Sequence, residues 1–427
     1  MHTALLTDRY ELTMLQAALT DGTAQRRCVF EVFTRRLPEG RRYGVFAGTG
    51  RLLAEIAEFQ FGEADLAYLA EHEVVDEATR EWLAAYEFTG DIDGYLEGEL
   101  YFPGSPVLTV SGSFAEAIVL ETLILSVLNF DSAVAAAAAR MACAAGDRPL
   151  NEMGTRRIQE QAAPAAARAA YLGGFAATSN LAAGQRYGVP TMGTSAHSFT
   201  LLHATEADAF RAQVKALGIG TTLLVDTYDI AAGIRSAIEV AGPELGAVRI
   251  DSGDLAVLTV QSRQQLDALG ATGTRIVLSG DLDEYALAAL AAAPVDAYGV
   301  GTSVVTGSGA ASAGFVYKLV DVDGRPVTKR SEHKASPGGR KTAVRRHRAT
   351  GTATEEVVRV GGRPAEQPGD RLLQVPLVRG GKVVAGQPSL EQSRGHLRRV
   401  MGTIPWDGLK LSRGEPAIPT TFEQGDR

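Results

Sequence analysis

The stretch Ala247-Val248-Arg249-Ile250-Asp251-Ser252-Gly253-Asp254 decides how this chain is read. A short, mostly apolar strand runs directly into two carboxylates, a hydroxyl and a glycine. That unit, a strand ending in a polar turn, is where open and closed α/β sheets place their chemistry. It recurs on both sides. Upstream, residues 222–225 lead into Asp226-Thr227-Tyr228-Asp229; downstream, 275–278 lead into Ser279-Gly280-Asp281 and 297–300 into Gly301-Thr302. Between the strands, apolar residues at helical spacing predict helices over 206–216, 230–240, 262–269 and 284–292. Alternating strands and helices imply parallel strands, hence a doubly wound sheet or a (β/α) barrel. Functional groups after nearly every strand favour the barrel, which gathers those ends on one rim.

Outward from this region the pattern changes. Residues 10–20 are helical in spacing, and 28–34 (CVFEVFT) alternate like a half-buried strand. Turn signals at Pro103-Gly104 and Ser111-Gly112 divide 91–113 into short strands. An alanine-rich helix is expected over 115–145, a hairpin around Asp323-Gly324 within 315–329, and a basic loop over 331–346.

The chain has 427 residues, which exceeds the size of one ordinary core and predicts two domains. Its formal net charge of −8 argues against nucleic-acid or anionic-membrane partners, though not against small anions held by a few local cations. The two cysteines, Cys28 and Cys143, have no redox or metal spacing, which fits a reducing cytoplasm. Residues 1–8 do not read as a signal peptide. The most apolar stretch, 115–127, is interrupted by Glu116, Glu121 and Thr122 and is not read as a membrane span. A soluble, cytoplasmic protein is expected. No P-loop, no nucleophile elbow and no His/Cys metal cluster is present in the sequence.

The chemistry-bearing candidates follow from residue type. His197, within Gly193-Thr194-Ser195-Ala196-His197-Ser198-Phe199, is a candidate proton carrier or phosphoryl acceptor, because imidazole suits both near neutral pH. Asp226 is placed to fix its tautomer. The plainer alternatives are a core histidine with one hydrogen bond and a strand-end turn residue. Arg156 and Arg157 are expected to open a helix, where they oppose the macrodipole and are explained by a bound anion or by simple exposure. Thr178-Ser179-Asn180 stands at a helix start, where capping is a sufficient reading. Arg249 and Asp251 share a side by the two-residue strand period. The Asp251 turn suits ribose hydroxyls or a Mg²⁺ bridging phosphates. Backbone N–H groups at Gly280 and at Gly301-Thr302 suit a phosphate, although plain connections use glycine as often.

In order along the chain, Thr7-Asp8-Arg9-Tyr10, Glu152-Met153-Gly154-Thr155-Arg156-Arg157, Thr178-Ser179-Asn180, GTSAHSF, VDTYD, RIDSGDL and GVGT resemble the nicotinate phosphoribosyltransferase family. The resemblance runs over residues 5–345, and the GT-x-AHSF segment is highly specific. It implies an α/β protein: an irregular (β/α) barrel, here 115–330, with a second α/β domain built from N- and C-terminal segments, 1–114 and 331–427. It also implies a homodimer with a shared active site. The implied reaction joins nicotinate to 5-phosphoribosyl-1-pyrophosphate, coupled to ATP with Mg²⁺ through a phosphohistidine, in NAD biosynthesis. By motif, His197 is the phosphorylated residue and Asp226 the acid that orients it. Tyr10 (from the neighbouring subunit), Thr194 and Arg249 bind nicotinate. Arg156, Ser179, Asp251, Gly280, Gly301 and Thr302 handle the phosphoribosyl group. Lys334-Ala335-Ser336-Pro337-Gly338 resembles a segment near the phosphates. Met153 departs from the family, where an aromatic is frequent; a thioether–aromatic contact could substitute.

Rival readings are nicotinamide phosphoribosyltransferase, a barrel aldolase or isomerase on a sugar phosphate, and a non-catalytic binding protein. The GT-x-AHSF form favours the acid over the amide as substrate. No strand from 222 to 302 ends in the Lys that a Schiff base needs. Intact His197, Asp226 and Arg249 speak against loss of catalysis.

Overall fold

The structure is a computed structural model and describes residues 3–329, 337–365 and 367–424. It divides into two compact units, Met1–Ala136 with Ala310–Arg427, and Ala137–Gly309.

The interior unit contains all four strands expected between 222 and 302. They belong to a parallel six-stranded sheet in the order Ala177–Thr178, Leu150–Glu152, Ala297–Val300, Arg275–Leu278, Ala247–Ile250, Thr222–Leu224. Because the strands are parallel, all six C-terminal ends lie at one end of the sheet. Val248, Ile250, Ile276, Leu278, Tyr298 and Val300, which the register places on one face of the sheet, are all buried. The sheet is a curled half-barrel: among the described residues its edge strands do not pair with each other. Its six strands, of two to four residues, are fewer than the eight of a regular (β/α)₈ barrel. An isolated bridge from Thr178 to Thr191 extends the open edge by one step.

Two helix expectations are corrected in this unit. Arg156 and Arg157 do not open an α-helix; they end a single 3-10 turn, Thr155–Arg157, and both are exposed. The α-helix starts later, at Ala163–Leu172, where Pro164 occupies its first turn. The macrodipole argument for an anion at Arg156 therefore lapses. The helix expected from 262 begins earlier, at Leu255–Ala268, because the Asp254 carboxylate accepts the Val257 N–H at 3.4 Å and caps it.

The other unit is built on a seven-stranded antiparallel sheet whose centre is Phe315–Val322, Arg27–Thr34, Leu108–Ser113 and Asp91–Tyr95. Phe30 stacks on Tyr317 at 4.7 Å in its core. The hairpin at Asp323-Gly324 is present, with both residues at positive φ (53° and 76°), as a two-residue turn between twisted strands demands. A four-stranded sheet contains Arg371–Leu372, Lys341–His347, Ala353–Val360 and Thr420–Gln424. Thus 341–346, expected in a basic loop, is strand. Lys341 is buried there and donates to Glu31 at 2.6 Å. Lys334, Ala335 and Ser336 lie outside the described residues.

The single helix expected over 115–145 is two helices, Phe114–Ile118 and Glu121–Ala145. The second begins where Glu11, from the helix Arg9–Asp21, accepts the Thr122 N–H at 2.9 Å. A carboxylate more than a hundred residues away supplies that cap, which local sequence does not reveal. By length and composition alone this stretch would pass as a membrane span, so Glu116 and Glu121 do not settle the matter. Burial bears on it instead: two-thirds of its most apolar window, 67%, is covered by protein, as in a core helix.

Candidate active site

The strand ends of the interior unit carry a connected set of polar groups. His197 follows the extended turn after Thr191, and its Nε2 lies 3.0 Å from Asp226 Oδ1. The Asp226 side chain is buried while that of His197 is 41% exposed. The second Asp226 oxygen accepts the Asp251 N–H at 2.9 Å and the Ser252 hydroxyl at 2.7 Å. Asp226 is therefore anchored by the turn after the neighbouring strand, and it holds one ring nitrogen of His197. With Nε2–H donated to Asp226, Nδ1 is the nitrogen that presents a lone pair.

Arg249 is the second centre. Its guanidinium donates to Ser279 Oγ (2.7 Å), Thr194 Oγ1 (3.0 Å), the Ser195 carbonyl (3.3 Å) and Asp251 Oδ1 (2.9 Å). Ser279 also donates to Asp251. Burial alone would raise the Asp251 carboxyl, but the Ser279 and Arg249 hydrogen bonds and the Arg249 charge hold it below its ordinary range. The pairing of Arg249 with Asp251 matches the two-residue period read from the strand. It also uses most of the five guanidinium donors, so an incoming carboxylate would share Arg249 with Asp251.

The glycine turns abut the same groups. Gly280 has φ +126°, and a side chain there would begin 3.0 Å from the Asp251 carbonyl. A side chain at Gly299 would meet Met153 Sδ at 2.6 Å, so the thioether would have to shift. Gly154 likewise lets its turn lie against Val305 and the Gly301 carbonyl. Thr302 starts the short helix Thr302–Val305 and is exposed. Ser179 is exposed, with its N–H donated to the Glu152 carbonyl at 2.8 Å. Among the described residues no group of three or more His, Cys, Asp or Glu is placed to hold a metal ion.

The structure thus joins His197, Asp226, Thr194, Arg249, Asp251 and Gly280 directly, with Gly301 and Thr302 on the next strand end. Arg156 is exposed on the same unit. Tyr10 is on the other unit, in the helix Arg9–Asp21, and is 45% exposed. Burial, then the charges of Glu121 and Glu11, push its hydroxyl well above the ordinary range. Sequence reasoning passed over Ser252 and Ser279 as individuals, although both lie in turns it quoted. A second carboxyl was also missed. Glu206, at the start of the helix Glu206–Leu217, is raised by burial and by the charges of Asp226 and Asp229.

Comparison with known proteins agrees with this geometry. The family model described as the nicotinate phosphoribosyltransferase N-terminal domain matches residues 5–129, and the nicotinate phosphoribosyltransferase family model matches 149–355. A nicotinate phosphoribosyltransferase of Mycobacterium tuberculosis is 62% identical over 426 residues, covering 97% of this chain and 94% of its own. One from Bacillus subtilis is 38% identical over 355 residues, covering 79% and 72%. The crystal structure of human nicotinic acid phosphoribosyltransferase superposes with a TM-score of 0.85 at 28% identity, covering 98% of this chain and 97% of that one. Motifs, geometry and likeness over nearly the whole length converge: the chain belongs to the nicotinate phosphoribosyltransferase family.

Proposed function

We infer that this chain is a nicotinate phosphoribosyltransferase of NAD biosynthesis. The pyridine nitrogen of nicotinate attacks C1′ of 5-phosphoribosyl-1-pyrophosphate; the N–C1′ bond forms, the C1′–O bond breaks, and pyrophosphate leaves. No proton need be removed from the nucleophile, so the site must position the reactants and stabilise separated charge rather than supply a strong base. The reading is supported above all by the linked pair of centres, His197–Asp226 and Arg249–Asp251–Ser279–Thr194, at the strand ends.

Arg249 and Thr194 receive the nicotinate carboxylate, with Tyr10 of a second subunit over the ring. Arg156, Ser179, Asp251 and the turns at Gly280 and Gly301-Thr302 hold the phosphoribosyl group. His197 Nδ1 takes the γ-phosphoryl group of ATP: the N–P bond forms, the bridging P–O bond breaks, and ADP leaves. Asp226 carries the charge that develops on the ring. Phosphorylation adds negative charge and acceptor oxygens beside the site, which reorganises it for the pyrophosphate substrate. One Asp251 oxygen, Oδ1, takes both the Arg249 and the Ser279 hydrogen bonds. Mg²⁺ is assigned to the phosphorylated substrates as their counter-ion. An irregular (β/α) barrel as catalytic domain, a second domain built from both chain ends, a homodimer and a cytoplasmic location belong to the same reading.

The test is labelling with γ-³²P-ATP alongside product formation from nicotinate and phosphoribosyl pyrophosphate, with and without ATP. An acid-labile, base-stable label is expected, absent in His197→Ala, with ATP stimulation lost in the same variant. Label retained in His197→Ala removes the phosphohistidine from the mechanism.

A further inference from the structure

We propose that Glu152 is a positioning residue that, through Thr178 and Asn180, locks together the strand-end loops carrying Arg156 and Ser179 and so sets how the phosphoribosyl group is held. The inference rests on the reading above, in which those loops hold that group.

Glu152 closes the strand Leu150–Glu152 and is 1% exposed. Its Oε1 accepts the N–H of Gly154 in its own turn, and its Oε2 accepts the hydroxyl of Thr178 at the end of the adjacent strand. Its backbone carbonyl accepts the Ser179 N–H. The Thr178 hydroxyl in turn accepts the Asn180 N–H at 3.0 Å. The Asn180 side chain caps the helix Leu181–Tyr187 through the Ala183 N–H (2.9 Å) and donates to Thr155 Oγ1 at 3.2 Å. Thr155 begins the turn that ends in Arg156-Arg157. Four hydrogen bonds and the Gly154–Thr155 peptide link therefore close a ring, Glu152–Thr178–Asn180–Thr155–Gly154.

Two further contacts carry this ring toward the reacting groups. Thr178 exchanges backbone hydrogen bonds with the segment around Thr191, accepting the Met192 N–H and donating to Pro190, both at 2.9 Å. That segment leads into Gly193-Thr194 and on to His197. Gly154 packs on the carbonyl of Gly301, beside Thr302.

A carboxylate here is costly. Glu152 is almost fully enclosed, its hydrogen-bond partners above are all neutral, and burial pushes its carboxyl up against the pull of Thr178 and Gly154. An ionised carboxylate accepts both donors at once, one on each oxygen. An amide would face either Gly154 or Thr178 with an N–H, leaving one donor unpaired. A locally unfavourable residue tying one strand end to the next is expected where a site, rather than stability, sets the requirement.

Steady-state kinetics of the full-length enzyme test this, with Thr178→Val and Glu152→Gln as breaking variants, Thr178→Ser as rescue and Arg156→Ala as reference. Each breaking variant should raise the KM for phosphoribosyl pyrophosphate about tenfold and leave that for nicotinate within about twofold; the double variant should be about as impaired as the worse single. Thr178→Ser should return the KM to wild type. Asn180→Ser keeps the helix cap but cannot reach Thr155, so it should show the same pattern, about threefold, even if Thr178→Val fails to fold. An unchanged KM for phosphoribosyl pyrophosphate in the folded variants overturns the inference. So does a parallel rise of both KM values together with a fall in melting temperature, which is what a purely structural bond gives. If Arg156→Ala raises that KM while the ring variants do not, positioning by Glu152 fails and the site reading stands. If Arg156→Ala is itself silent, the site reading fails and takes the inference with it.

Discussion

Each unit of this protein contains a network of charged side chains, and the two are built to opposite rules. Around Arg345 the network is closed. Its guanidinium pairs with Glu99 (2.6 Å) and Glu356 (2.5 Å); Arg371 and His396 add to Glu99, and the Tyr95 hydroxyl donates to Glu356 at 2.7 Å. The side chains of Arg345, Glu99 and Glu356 are at most 1% exposed. Around Asp226 and Arg249 the network is open. Asp226 is as deeply buried as Glu99, but its partner His197 is 41% exposed, and Asp251 beside Arg249 is 30% exposed. In the first network the central ion pairs of Arg345 with Glu99 and Glu356 are enclosed in the protein, with Arg371 at the rim 35% exposed. In the second, a ring nitrogen and part of a guanidinium–carboxylate pair stop at the surface with capacity to spare. Charge alone does not mark a site; charge left incomplete at one edge does.

The contrast can be broken most severely at Arg345. Replacement by Ala leaves Glu99 and Glu356 buried without their main counter-charge, and should cost about 3–5 kcal/mol of stability, read by urea unfolding. A loss below about 1 kcal/mol would mean the cluster is not the closed structural unit described. The same cluster sets an acid limit. Burial would raise the Glu99 carboxyl, but the Arg345 charge and hydrogen bonds from His396 and Arg371 hold it far below its ordinary range. Its contribution is thus complete above the unfolded value of about 4.3 and is lost as pH falls from there toward the lower folded value. Unfolding free energy should therefore decline on acidification below about pH 4, and less steeply in Arg345→Met.

In the open network the expected loss is of activity. Arg249→Ala should lower kcat/KM for nicotinate by about 2–5 kcal/mol of transition-state binding, toward the lower end because Asp251 already shares the charge. Nicotinamide, which lacks the carboxylate, should be a poor substrate and respond less to the change. Equal use of acid and amide by the wild type would move the assignment to the amide-specific enzyme. The smallest effect belongs to Ser252→Ala, which removes one of two donors to the outer oxygen of Asp226. Stability should fall by only about 0.5–1.5 kcal/mol. The yield of labelled His197 should fall with it if Asp226 orients the ring, and stay constant if it does not.

Much of this was legible in the chain. Strand and helix periodicity located the parallel strands between 222 and 302, and the two-residue period paired Arg249 with Asp251. Turn chemistry placed the Asp323-Gly324 hairpin. Motif order led to the family, and residue types at strand ends led to His197 and Asp226. The misreadings have two causes. The start at Glu121 and the strand at 341–347 depend on partners far along the chain, and the early start at Leu255 on a local cap outweighing an apolar pattern. Glu11 capping Thr122 and Glu31 holding Lys341 are such partners.

The sequence by itself determined the local periods, the strand-end turns and the identities of the candidate site residues, because these are carried by neighbouring residues. Tertiary structure alone decided that the sheet stays an open half-barrel, that Asp226 is oriented by the turn after a different strand, and that Arg345, Glu99 and Glu356 are sealed while His197 and Asp251 are not. Those outcomes turn on which groups lose their water and which keep it. Solvent exposure is a property of the packed chain, and no stretch of sequence contains it.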